Sequence, residues 1–168
     1  MRKKVTTLVF SAVILSLLLM PIVFADKRIP VSGTGPYTPT IVDHKIMGNN
    51  VHVRTTEEMD WYGGILGHSH NEPCRVVVHG STEFPPTDYD FRWYTSRVTF
   101  ADGACTIADK TGGLVMRLVG KQSGPDTEWI GKWEILKGTE DLKGISGRGT
   151  WTASGGIVYY TGWVHLPS

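Results

Sequence analysis

The chain has 168 residues, with 17 Lys and Arg against 16 Asp and Glu, a formal charge of +1, 20 glycines and two cysteines. No basic block stands out beyond the extreme N-terminus, which argues against nucleic acid as a partner, since such binding depends on clustered Lys and Arg. The two cysteines have no near neighbour of their kind, which argues against a cysteine-based zinc site.

Residues 1–25 have the layout of a signal peptide. Arg2, Lys3 and Lys4 form a positive cluster, an apolar run extends from Leu8 to Phe24, and Val23-Phe24-Ala25 supplies small residues at a cleavage site. Cleavage is expected after Ala25, and a retained anchor helix is the alternative for the same stretch. No cysteine follows the run to take a lipid. No second apolar stretch reaches the ~18–20 residues that a helical span needs, so stable membrane insertion is not expected after cleavage. Loss of three basic and no acidic residues leaves 143 residues with a formal charge of −2. That length makes one domain with a real core, exported to the periplasm or cell exterior.

The rest of the chain is punctuated by glycine and proline. Short β-branched and aromatic runs lie between, with no convincing amphipathic helix. Residues 26–40 hold Pro30, Gly33, Gly35, Pro36 and Pro39 and read as an N-terminal arm and first strand region. Residues 41–47 alternate and end at Gly48-Asn49-Asn50, a hairpin signal. The strand 51–56 places Val51, Val53 and Thr55 on one face. The run 61–66 is broken by Gly63-Gly64, and 75–79 is a compact β-branched strand. A loop with Pro85-Pro86 precedes 91–100, whose one face carries Phe91, Trp93, Thr95 and Arg97. Asp102-Gly103 is expected to turn the chain back into 104–108. Strands at 114–119, 129–136, 148–152 and 157–166 complete the chain.

Eight to ten short strands at close, even spacing predict an all-β fold, a sandwich or closed barrel. Closure would remove exposed edges. In an oxidising compartment, Cys74 and Cys105 are expected to form one disulfide, closing a loop of roughly 30 residues and contributing ~3–4 kcal/mol.

The block 131–151 contains Ile135-Leu136-Lys137-Gly138-Thr139-Glu140, then Leu142, then Gly144-Ile145-Ser146-Gly147-Arg148-Gly149. It resembles the allene-oxide-cyclase-like and dirigent-like β-barrel group, in which Ile-x-x-Gly-Thr-Gly precedes Leu or Phe and Gly-x-x-Gly-x-Gly. Uncharacterised secreted bacterial members are the nearer likeness. Ser32-Gly33-Thr34-Gly35, Val76-Val77-Val78-His79-Gly80 and Tyr160-Thr161-Gly162-Trp163-Val164-His165-Leu166 fit more loosely. The resemblance covers about residues 31–167 and implies a single closed antiparallel barrel of about eight strands with a partly apolar interior. It does not imply cyclase activity, which relies on interior polar residues that the block does not supply. Glu140 stands where the group has glycine, so the turn is expected to differ there.

Two constellations carry candidate chemistry. His68-Ser69-His70 would place two imidazoles on one strand face, with Glu72 and His79 close in sequence, a candidate metal set of His68, His70 and His79. The alternative is a polar segment between strands. The aromatics Trp93, Trp129, Trp133, Trp151, Tyr159 and Trp163 would line a ligand pocket, with Arg97 and Arg117 as counter-ions or carboxylate clamps. Core packing of the rings and an outward position for the arginines are the simpler alternatives. The expected function is binding of a small apolar or aromatic ligand in the barrel mouth, or association with another subunit. A cyclase- or isomerase-type enzyme and a metal-binding barrel are alternatives, and no cofactor is expected.

Overall fold

The computed structural model describes residues 28–166, so the expected signal peptide lies outside the described residues. Eight strands, β1 (Arg28–Met47), β2 (Asn50–Gly63), β3 (Leu66–His79), β4 (Phe91–Ile107), β5 (Lys110–Gln122), β6 (Trp129–Gly138), β7 (Ser146–Ser154) and β8 (Ile157–His165), close into one antiparallel barrel in sequence order. A single 3-10 turn, Glu140–Leu142, lies between β6 and β7. The all-β barrel is thus the fold, and β1 closes it by pairing with both β2 and β8.

The strands are fewer and longer than the sequence runs. On β2 the inward positions alternate without a break through Val51, Val53, Thr55, Glu57, Met59 and Trp61, all buried. The sequence runs 51–56 and 61–63 are therefore one strand. On β3 an extra residue at Glu72-Pro73 forms a bulge. It moves the inward set from Ser69 and Asn71 to Cys74, Val76 and Val78. Asp102-Gly103, expected to be a turn, is a bulge within β4, because the register slips between Phe100 and Cys105 while pairing with β5 continues to Ile107 and Lys110. The turn itself is Ala108-Asp109, both at positive φ, which matches the twist of a two-residue hairpin.

The expected disulfide is not formed. Cys74 and Cys105 are both free and buried. Cys105 faces Gly67 on β3, seven positions along the strand from Cys74. At ~3.3 Å per residue the two lie on the order of 20 Å apart, far beyond the ~7 Å Cα separation that a disulfide tolerates.

Glu140 sits at φ 52°, the left-handed conformation that glycine would adopt freely. Its carboxylate accepts a hydrogen bond from Gly103 N at 2.7 Å, and the neighbouring Thr139 hydroxyl donates to Asp102 Oδ1 at 2.6 Å. The side chain that strains the turn also ties it to the β4 bulge.

The glycines of the block have a second task. Inside the barrel, Gly131 faces Trp151 and Gly149 faces Trp133 across the β6–β7 ladder. A Cβ built on Gly149 or Gly162 would fall 2.5 Å from the Trp133 ring, and one on Gly131 2.5 Å from Trp151 Nε1. The missing side chains let each indole lie flat on the wall. Each ring then donates its N–H to a backbone carbonyl: Trp133 to Thr161 at 3.2 Å and Trp151 to Lys132 at 3.1 Å.

The two ends of the barrel differ. The end that carries the β2–β3 and β4–β5 turns and the 3-10 turn is packed with Trp61, Ile65, Phe100, Ile107, Leu114, Leu142 and Val164. At the opposite end β1 runs past its last β8 partner, Pro36, and extends with β2 as an overhanging hairpin. The outer stretch of β1 exposes Ile41, Val42, Ile46 and Met47. The 80–90 loop leans on this hairpin through stacking of Phe84 on His44, with ring centroids 4.0 Å apart.

Candidate functional site at the open end of the barrel

The open end holds a cavity of ≈330 Å³ inside the wall. Its lining is mostly apolar: Val53, Met59, Val76, Val78, Leu118 and the faces of Trp129 and Trp151, roofed by Phe84, Pro85 and Pro86. Four polar side chains, Thr55, Glu57, Arg92 and Tyr94, face into it, with Tyr37 beside them. A mostly apolar cavity with a few converging polar groups is the usual form of a small-molecule site.

The polar groups sit here because they occupy inward strand positions. Thr55 and Glu57 continue the β2 alternation, and Arg92 and Tyr94 continue that of β4. Glu57 is only 6% exposed. Tyr94 donates its hydroxyl to Glu57 Oε2 at 2.6 Å, and Asn71 Nδ2 approaches the same oxygen at 3.5 Å. Burial pushes the Glu57 carboxyl above its usual range, even though the Tyr94 and Asn71 hydrogen bonds oppose the shift. Tyr94 is driven well up by burial and by the adjoining carboxylate. Behind them a chain of buried hydrogen bonds runs toward the packed end: Trp61 Nε1 donates to Ser69 Oγ at 2.9 Å, and Ser69 Oγ donates to Asn71 Oδ1 at 3.0 Å. Glu57 therefore closes an ordered polar line that starts at the barrel floor and ends in the cavity.

Thr55 is different. It is 6% exposed and lines the cavity, while its hydroxyl is closed off from solvent and stands against the Cys74 thiol without a hydrogen bond of good geometry. Cys74 itself is not a nucleophile. Burial first, then the Glu57 charge, pushes its thiol up to about 11, and it hydrogen-bonds Asn71 O and Ser96 Oγ. Burial takes the Cys105 thiol up to about 12.

Of the aromatics named from sequence, only Trp129 and Trp151 line this cavity. Trp133 packs deeper in the core, while Trp93 and Tyr159 are on the outer wall, about half exposed. Trp163 is also outside, with the guanidiniums of Arg28 and Arg148 4.8 and 5.4 Å from its ring. Arg97 and Arg117 point outward, paired across β4 and β5, and Arg117 forms an ion pair of 2.7 Å with Glu134. A second groove of ≈600 Å³ runs along the outside past Arg117, Lys132 and Trp163, but the cavity at the open end holds the polar groups that face one another.

His68 and His70 stand on the outer face of β3, as expected from alternation, and every ring nitrogen faces a carboxylate. His68 lies 2.7 Å from Asp60 and 3.0 Å from Glu58, and His70 lies 2.6 Å from Glu58 and 3.4 Å from Glu72. These partners raise both imidazoles and lower Glu58. His79 is far along the strand and stacks on Phe91 at 4.3 Å. Among the described residues no three His, Cys, Asp or Glu are grouped to hold a metal ion.

Glu57, Thr55, Tyr94 and Arg92 were missed from the sequence. The alternation that places Glu57 inside was legible had the run 51–56 been followed to Trp61. For Arg92 and Tyr94 the sequence reading took the opposite face of β4.

No protein-family model matches the chain, and no curated protein matches it. Among solved structures, it is similar to a protein of unknown function from the DUF3224 family of Shewanella oneidensis MR-1. The TM-score is 0.61 at 14% identity, over 84% of this chain and 99% of that one. At this identity the likeness shows the fold alone.

Proposed function

We propose that the protein binds a compact, largely apolar ligand in the open end of the barrel, and that it does so outside the cytoplasm. The observation that carries this reading is a mostly apolar cavity into which the buried Glu57–Tyr94 pair and Arg92 converge. Trp129 and Trp151 give the binding a signal of their own. Titration with a broad panel of compact hydrophobes is expected to give a saturable change in tryptophan fluorescence, lost when Val53→Phe fills the cavity in a folded variant. No saturable change across the panel would overturn the reading.

The raised Glu57 carboxyl favours a second reading, an isomerase- or cyclase-type enzyme. A carboxyl that burial makes hold its proton more tightly than usual, in an apolar site, is suited to moving a proton to or from a bound molecule. On this reading Glu57→Gln retains ligand binding and loses turnover. Equal turnover by the variant would remove Glu57 from any chemistry.

A further inference from the structure

We infer that the ligand is a compact hydrophobe bearing one carboxylate, seated with its apolar body inward and its carboxylate on Arg92 at the cavity mouth; this rests on the cavity being a ligand site.

Arg92 is an inward residue of β4, one inward step above Tyr94, and it lines the cavity. Its guanidinium is fixed in place. Nε donates to Gln122 Oε1 at 2.8 Å and Nη2 donates to the same oxygen, while the Tyr89 and Trp129 rings lie 4.6 and 5.2 Å from its central carbon. Tyr89 OH also donates to Gln122 Oε1, and Gln122 Nε2 donates to Thr127 O, so the amide that holds the arginine is itself held.

What the site lacks is an anion. Gln122 is neutral, and none of the ion pairs among the described residues involves Arg92. A cation partly withdrawn from water without a counter-charge is costly, and an anionic ligand group relieves that cost. The remaining N–H groups of a guanidinium lie in one plane, which suits a carboxylate.

The size of the cavity narrows the rest of the molecule. At ≈330 Å³ it is at the small end of the usual ~300–1,000 Å³ range for ligand pockets. It suits a ring system or a short branched body rather than a long chain.

Calorimetric titration of the wild-type protein with 1-naphthoate, 1-naphthamide and 1-naphthylmethylammonium separates the claims. The carboxylate is expected to bind about tenfold tighter than the amide or better, given ~1.5–3 kcal/mol for a hydrogen bond to a charged group, and the ammonium is expected to bind weakest. Arg92→Gln is expected to bring the carboxylate down to the affinity of the amide. Equal affinity of acid and amide in the wild type would overturn the carboxylate inference and leave the cavity as a ligand site. Binding of none of the three would overturn both. The wild-type comparison decides the matter even if the variant does not fold.

Discussion

The two ends of this barrel bury polar groups in opposite ways. At the packed end Tyr160 reaches across the core so that its hydroxyl accepts from Ile65 N at 2.8 Å and lies within 3.0 and 3.1 Å of the Ile65 and Tyr62 carbonyls. Trp61 packs against Tyr160 and Phe100, at centroid distances of 5.1 and 5.7 Å, and spends its N–H on Ser69. The Tyr160 hydroxyl and the Trp61 N–H are both paired, and hydrocarbon fills the space between. At the open end Glu57 is buried enough for its carboxyl to shift upward, and none of the ion pairs among the described residues involves Arg92. One end is a finished core. The other has the polar groups of a site and the empty volume to receive a molecule.

The largest break in this contrast comes from the packed end. Trp61→Ala is expected to destabilise the protein by ~3–5 kcal/mol, the usual cost of truncating a buried tryptophan, measured by urea unfolding. Trp129→Ala, at the half-buried mouth, is expected to cost clearly less and to impair ligand binding instead.

A paired hydroxyl deletion sharpens the comparison. Tyr160→Phe leaves Ile65 N without its acceptor and is expected to cost ~1–3 kcal/mol. Thr55→Val removes a hydroxyl whose polar neighbour is only the weakly bonding Cys74 thiol, at nearly constant shape, and is expected to cost clearly less than Tyr160→Phe. Equal losses in the two variants would erase the distinction between the ends.

Glu57 adds a pH dependence whose sign follows from its raised pKa. In the folded state the proton is held more tightly than in the unfolded chain. The favourable contribution is therefore complete below the unfolded value near 4.5 and is lost as pH rises through the folded value. The melting temperature of Glu57→Gln minus that of the wild type is expected to grow as pH increases from 5 to 8. A difference that shrinks over this range would contradict the upward shift of the Glu57 carboxyl.

The smallest expected effect concerns the cysteines. Reductant is expected to leave the melting temperature unchanged, and a thiol assay to find two free thiols in the denatured protein and almost none in the native one, because both are buried.

Much of the architecture was legible in the sequence. The glycine-rich block marks a real junction between β6 and β7, and the spacing Gly131-x-Trp133 and Gly149-x-Trp151 already holds the reason: each glycine makes room for the tryptophan of the facing strand. The Cys74–Cys105 pairing could not be judged that way, because sequence separation carries no information on how far apart two residues lie along the barrel axis. The strand number of about eight matches the barrel, and Gly63-Gly64 does stand at the end of β2, but Asp102-Gly103 only bulges β4, so one long strand runs where the sequence shows two short runs. The site suffered most from face assignment. Trp93 and Arg97 attract notice by residue type, yet a shift of one residue separates them from Arg92 and Tyr94, and in a strand one residue is the difference between solvent and core. Glu57 was hidden for another reason: a charged residue in an alternating strand normally interrupts the apolar face, and here it belongs to that face.

The central claim, that only the open end receives a ligand, is tested most directly by following backbone and indole NMR signals of isotope-labelled protein during titration with 1-naphthoate. The account predicts shifts concentrated at Val53, Thr55, Arg92, Trp129, Trp151 and Val158, with Trp61, Ile65 and Tyr160 unmoved. Shifts centred on the packed end, or on the outer groove around Arg117 and Trp163, would contradict it.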